Sequence, residues 1–343
     1  MNTVTMATMG LAVVLACAPA RPAWSAEPPQ FSAPRNLAAG PFWLALSTPE
    51  PGAHMRYATD GSAPTPSNGV VYSTPIFVTN SMNVRAIAVV SGAPPSEVAT
   101  HTYLFPDQTV RQTRGSYPAS WGYLAVADYE MDPKVVTNSL YAGTVTNDLL
   151  AIPSLILACA PGDLFGTHGI YYSTNTLQRG DAWERAVSVE LLDAARTENA
   201  QVNCGVQISG GASRNPQQTS KHSLRLVFKS RFGPSVWSYR FFPDTRLAAF
   251  DDIVLRAGFN DSWTARARNL HLPGQYVRDR FIRGLQRAMG VDCGSSRFVH
   301  LYLNALYWGV YDATSMPDAQ YAAHRFGGSE SDYDSIYPVS DSA

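Results

Sequence analysis

Charge is scarce in this sequence. Of 343 residues only 15% are Asp, Glu, Lys or Arg, and the net charge is -1; an average soluble domain carries about 25%. A near-neutral chain is not a generic nucleic-acid binder, which needs a cationic field to meet phosphates. Cysteine is scarce too. Cys17, Cys159, Cys204 and Cys293 show no C-x-x-C spacing, which argues against the common structural zinc sites. There is no G-x-S-x-G string, and His222, His271 and His300 have no recognisable partners in the sequence. The usual serine-hydrolase layout is therefore not legible. No apolar run after the N-terminus approaches the ~20 residues of a membrane helix.

What is plentiful is Gly (25), Pro (24) and aromatic rings, with 17 Tyr, 14 Phe and 7 Trp. That is the composition of an exported strand-and-loop protein, and the length suits two domains. Met9 to Ala18 is a short apolar run, and Ala23-Trp24-Ser25 puts small residues where a signal peptidase cuts. We expect a signal peptide over residues 1–25, with cleavage after Ala20 as a second option, although no Lys or Arg precedes the run. Cleavage leaves three cysteines, which suit either one disulfide or three buried thiols.

Residues 26–39 are rich in Pro, Ala and Ser and read as a linker. From 40 to 105 short alternating runs follow one another. Phe42, Leu44 and Leu46 are one, Met55, Tyr57 and Thr59 another, ending in the turn signal Asp60-Gly61. Val84 to Val90 and Val98 to Leu104 complete a small β-sandwich. Asp60 reads as turn chemistry. Tyr57 and Tyr72 offer rings either to the core or to a sugar.

Residues 106–149 connect to a second region over 150–343. Tyr141 to Ala151 suits a helix, Pro153 to Ala158 a buried strand, and Leu124 to Ala127 a further short strand. The stretch Trp183 to Phe228 holds three strand-like runs. In the first, Ala186, Ser188 and Glu190 alternate with Val187, Val189 and Leu191, the period of a strand with one buried face. Between the second and third lie Gly210, Gly211, Ser213, Arg214 and Lys221. Glycines permit close backbone approach and cations favour anions, so this loop is either a phosphate cradle or a solvated basic hairpin. Gln275 to Met289 is the clearest helix. Val277, Phe281, Leu285 and Ala288 share one face, and the arginines on the others are expected in solvent. Glu184 and Glu190 pair as a glycosidase would require only by a coincidence of folding.

Two resemblances organise these runs. Tyr57 to Thr65 (Y-A-T-D-G-S-A-P-T), with Tyr72, Pro75-Ile76, Val84-Arg85-Ala86 and Ser96 to Tyr103, resembles the chitobiase/β-hexosaminidase C-terminal domain over roughly 35–105. That resemblance implies an immunoglobulin-like accessory module without catalysis.

The second region resembles the CotH family of secreted atypical kinases over roughly 150–338. Its matching segments stand in family order. They include Asp163-Leu164-Phe165-Gly166, Gly169-Ile170-Tyr171, Trp183-Glu184-Arg185, Gly205 to Arg214, Lys221 to Leu226, Asn260 to Trp263, Leu301 to Asn304 and Tyr307 to Tyr311. The resemblance implies an α+β, protein-kinase-like fold that uses ATP and Mg2+ to phosphorylate protein hydroxyls. Lys221, with Arg214 second, is the expected partner of nucleotide phosphate. The expected partners of the protein are a secreted or surface protein substrate, or a cell-wall polysaccharide.

Departures temper that expectation. The family's Glu-Arg after its G-x-Y run is Ser315-Met316 here, and its Asn-Gly is Asn304-Ala305. Asp312, Asp318, Asp332 and Asp334 are available, but none has the setting of the family's metal-holding aspartates. The domain is therefore expected to be incomplete at its C-terminus and without transferase activity, leaving the catalytic residues unknown. The alternative is a non-catalytic surface or carbohydrate-associated protein. Arg256, Asp261 and Asp279 are expected to form structural ion pairs.

Overall fold

Period-two alternation builds the N-terminal part of the molecule. The computed structural model describes residues 25–122, 126–193, 199–243, 245, 248–264 and 274–334. The Met9–Ala18 run, Cys17, Ala23-Trp24, His271 and Ile336-Tyr337 lie outside those residues, as do Leu124 and Ala125 of one expected strand. Strand β1 (Gln30–Phe31) pairs with β4 (Leu46–Ser47), and β3 (Phe42–Leu44) with β7 (Ile76–Val78). A five-stranded sheet runs in the order β2 (Asn36–Leu37), β9 (Ala99–Leu104), β8 (Met82–Val89), β5 (His54–Ala58), β6 (Val70–Val71). Leu44, Val78, Val84, Tyr103 and Phe105 fill the space between these layers. Beyond β5, Asp60 Oδ1 accepts from the Ser62 backbone at 2.9 Å, and Gly61 takes a φ of 92°. Tyr57 and Tyr72 meet edge to face at 6.3 Å, as packing residues.

Pro106 ends the sheet and starts helix α1 (Pro106–Thr109). Helices α2 (Pro133–Val136) and α3 (Val145–Ala151) follow, so the helix expected from Tyr141 forms only over its second half. The second region is a closed barrel of seven strands. These are β10 (Ser154–Ala158), β11 (Arg185–Leu192), β12 (Ala200–Ser209), β13 (Ser223–Val227), β14 (Asp252–Arg256), β15 (Ser296–Leu303) and β16 (Leu306–Thr314). They close in the order β10-β11-β12-β13-β14-β16-β15. All pairs are antiparallel except β10 with β15. A barrel this narrow is filled by side chains; Leu155, Val189, Val206, Leu226, Leu255 and Leu301 are among those inside. Helix α4 (Pro161–Phe165) caps one end, and α5 (Arg278–Ala288) and α6 (Ala319–Phe326) lie outside the wall. Many strands and few helices make the chain a mixed α/β protein. No helix of the described residues is long and apolar enough to cross a membrane. Cys159, Cys204 and Cys293 are free thiols.

Strand β11 departs from expectation. Its second face, carrying Ser188 and Glu190, is as buried as its first. The reason is that the N-terminal part packs on that wall. Leu104 and Leu37 meet Ile156, Leu192, Tyr302 and Ala305 in one apolar cluster. Within this contact the Glu190 carboxylate accepts from Arg35 Nε at 2.6 Å and from the Thr102 backbone at 3.2 Å, and it also bonds the Thr102 hydroxyl. Glu190 is thus an interface residue. Glu184 pairs with Lys229 and Arg231 instead, which removes the two-carboxylate glycosidase reading.

Asn304 and Ala305 turn the β15–β16 hairpin with φ values of 49° and 64°. Asn304 suits this, and its side chain also exchanges two hydrogen bonds of 2.8 Å with the Cys159 backbone. Ala305 carries left-handed strain of about 1–2 kcal/mol. Its buried methyl returns about 0.8 kcal/mol, and glycine there costs about 0.5–1 kcal/mol in chain entropy. These terms nearly cancel. Ala305→Gly is therefore expected to shift urea-unfolding stability by less than about 1 kcal/mol, whereas the resemblance to Asn-Gly alone would suggest a clear gain.

Helix α5 reverses the expected orientation. Its charged face meets the barrel and its apolar face meets solvent. Phe281 is 63% exposed and Met289 78%, with Val277, Ile282 and Leu285 also uncovered. The wall explains this, because register sets Arg256, Asp312 and Phe298 side by side on β14, β16 and β15. Asp279 pairs with Arg256, Arg278 Nη2 lies 3.1 Å from Asp261 Oδ1, and Arg280 lies 5.0 Å over the Phe298 ring. A charged wall recruits the charged side of the helix.

Candidate functional site

Strand β12 ends at Ser209, and Gly210, with φ of 111°, swings the chain into a single 3-10 turn, Ala212–Arg214. Arg214 does not project from this loop. It is 6% exposed and donates inward to four carbonyls: Gly210 O at 2.7 Å, Gln178 O at 2.7 Å, Thr176 O at 3.3 Å, and Ile208 O. Burial, with Arg179 close by, lowers its pKa to about 10. With four of its five N–H donors occupied, Arg214 fixes the loop's shape. The basic loop is therefore neither a freely solvated hairpin nor one with two cations in its mouth.

Lys221 stands differently. It lies just before β13, at the same end of the barrel as the glycine loop. Its ammonium donates to Val310 O at 3.3 Å and sits 4.7 Å from the centre of the Tyr311 ring. Among the described residues it has no carboxylate partner. Desolvation lowers its pKa to about 8. Gly309, at φ 118°, makes the room, since a Cβ there would lie 2.4 Å from Nζ. Neighbouring groups are tied together. His222 Nδ1 is 2.8 Å from Ser213 O, and its backbone N–H donates to the Tyr171 hydroxyl at 3.0 Å. Tyr311 donates to His222 O at 3.0 Å, and Trp308 donates to the Tyr171 hydroxyl at 3.1 Å. A bare, rigidly held ammonium beside a shaped glycine loop is suited to receiving an anion.

Tyr171, Gly309 and Tyr311 are the site residues to which sequence reasoning gave no role. Their signal was present in the strings G-I-Y and W-G-V-Y: the second supplies the glycine and the ring beside the cation, and the first supplies the Tyr171 hydroxyl that ties His222 and Trp308.

Of a second group, sequence reasoning named only Asp318, without a metal-holding setting, and passed over Asp251 and Asp252. Asp251, Asp252 and Asp318 bring carboxylate oxygens within 4.8 Å of one another, and oxygen donors suit a hard cation such as Mg2+. Burial, opposed by Arg225, raises the Asp252 pKa to about 6. Each of two carboxylates also has another partner. Asp252 accepts from Arg225 Nε at 2.6 Å, and Asp318 accepts from the Tyr321 backbone at 2.9 Å as the cap of α6. The trio lies at the far end of the barrel. Asp252 is in register with Val227, six residues along from Lys221, a span of about 20 Å at strand rise. Lys221 and these carboxylates cannot address the same phosphate group.

Comparison with known families agrees with part of this picture. Residues 206–343 match the family model described as CotH kinase protein, and residues 44–103 match the one described as Fn3 associated. The first match starts within β12, later than the resemblance at 150 suggests. The second falls on the strands that resemble the chitobiase C-terminal domain. No curated protein matches the chain.

Proposed function

Taking the CotH kinase match over residues 206–343 as its premise, we propose that this is an exported, kinase-derived protein that binds nucleotide polyphosphate around Lys221 without transferring the phosphoryl group. The observation that carries this reading is the desolvated Lys221 ammonium, which has no carboxylate partner among the described residues, rests against β16 at Gly309 to Tyr311, and lies at the barrel end that carries the Arg214-shaped glycine loop. ATP is the expected ligand. Asp251, Asp252 and Asp318 are the residues that would hold Mg2+, but an ion there would lie too far from Lys221 to offset the charge of a triphosphate bound at that end. Their position about 20 Å along the strands from Lys221 is what speaks against transfer. Titration calorimetry with ATP and Mg2+ tests binding. Heat of binding at sub-millimolar ATP is expected for the native chain, and at least a tenfold loss of affinity for Lys221→Met. No heat at millimolar ATP would remove the proposal, and phosphoryl transfer to any acceptor would remove its second half.

A second reading, retention on a cell-wall polysaccharide, has one observation in its favour. Trp43 and Phe77, directly opposite on β3 and β7, stack at 4.5 Å with 65% and 48% of their surfaces exposed. These rings, rather than Tyr57 and Tyr72, are the ones offered to a sugar face. In pull-downs on chitin and peptidoglycan, Trp43→Ala is expected to release the protein if this reading holds. Equal retention of the native and Trp43→Ala proteins would sink it.

A further inference from the structure

We propose that the outward face of α5 and the groove beside Phe298 form a docking site for an acidic amphipathic helix of a partner polypeptide. The apolar stripe is too regular to be incidental. Val277, Phe281, Leu285 and Ala288 recur at steps of four, four and three along about 16 Å of helix. Soluble proteins seldom leave such a stripe uncovered.

Beside it runs a groove of about 710 Å³, walled by Val277, Phe281, Leu285 and Phe298. Its shape and charge select the occupant. The charged side chains lining it are Arg278 and Arg280, and no carboxylate is among them. Arg278 is already paired with Asp261, whereas Arg280 lies on the Phe298 ring without an ion-pair partner among the described residues. A ligand with apolar knobs and carboxylates at its border satisfies both features. A second copy of this chain fits poorly, because two Arg280 rims would face each other. A bilayer would meet the exposed stripe but leave the groove beside Phe298 unfilled.

The test uses the full chain and fluorescein-labelled helical peptides of about 18 residues. One panel carries leucines at helical spacing flanked by glutamates; its twin carries lysines in place of the glutamates. Fluorescence anisotropy is expected to report micromolar binding of the acidic panel, weakened at least tenfold by Phe281→Asp and by Arg280→Glu. Phe281 is largely exposed, so Phe281→Asp should keep the native circular dichroism spectrum and melting temperature; Arg280→Glu gives up the Phe298 contact and faces Asp312, so its binding is read beside its own melting curve. No binding of the acidic panel at millimolar concentration, or equal binding of the lysine twin, would overturn the proposal. So would self-association in sedimentation, or binding to phosphatidylglycerol vesicles, that Phe281→Asp abolishes.

Discussion

Glu190→Ala is expected to lose about 3–5 kcal/mol of unfolding free energy, the cost of breaking a buried ion pair from one side. Glu190 is fully buried between the barrel wall and the N-terminal part, and three donors converge on it. Alanine would leave the Arg35 guanidinium in the contact without its counter-charge, although Arg35 Nη2 keeps its 3.0 Å bond to Thr100 O. It would also orphan the Thr102 backbone N–H. The apolar cluster of Leu104, Ile156, Leu192 and Tyr302 surrounds this pair, so water cannot easily replace the carboxylate. Burial already pushes the Glu190 pKa up, which marks how poorly this place tolerates an unmatched charge. Glu190→Gln keeps an acceptor for Thr102 but removes the charge, and should fall between alanine and the native protein. Urea denaturation followed by tryptophan fluorescence measures both. A loss below about 1 kcal/mol for alanine would show that solvent reaches the contact and that the two parts are weakly joined.

Much of the strand layout is legible in the residues themselves, and the failures share one cause. Local alternation locates β3, β5, β8, β9 and β11, because a strand's period is written in consecutive residues. It could not reveal that Ser188 and Glu190 face another layer, because that depends on residues 35 and 102, distant in sequence. Helix α5 failed similarly. Its amphipathic pattern was legible, but which face turns inward depends on Arg256, Asp312 and Phe298 meeting on a barrel wall. At the candidate site, cation chemistry picked out Lys221 and Arg214 together. Only the fold separates them, by supplying four carbonyls to one and an aromatic ring to the other.

Lys221→Met is expected to stabilise the protein by about 1–3 kcal/mol at pH 7, even as it removes the proposed ligand site. The ammonium's pKa falls from 10.5 to about 8 in the folded protein. Below pH 8 both folded and unfolded chains carry the charge, and the folded state bears the full desolvation cost. Between pH 8 and 10.5 the unfolded chain binds more protons, so this group makes native stability rise with pH. Above 10.5 the cost is gone. Methionine has a similar length, can rest on the Tyr311 ring, and gives up only the 3.3 Å bond to Val310 O. The gap between variant and native protein should therefore be widest at pH 7 and close as pH rises past 10. Urea unfolding at pH 7, 9 and 10.5 checks the trend, and comparing the pair cancels the tyrosines that titrate in the same range. Saturating ATP should reverse the order at pH 7, because a ligand bound only by the native protein adds RT ln(1 + [L]/Kd) to it. A variant less stable than native at pH 7, or a gap that ignores pH, would mean that Lys221 is satisfied where it stands. The reason for assigning it an anionic ligand would then be lost.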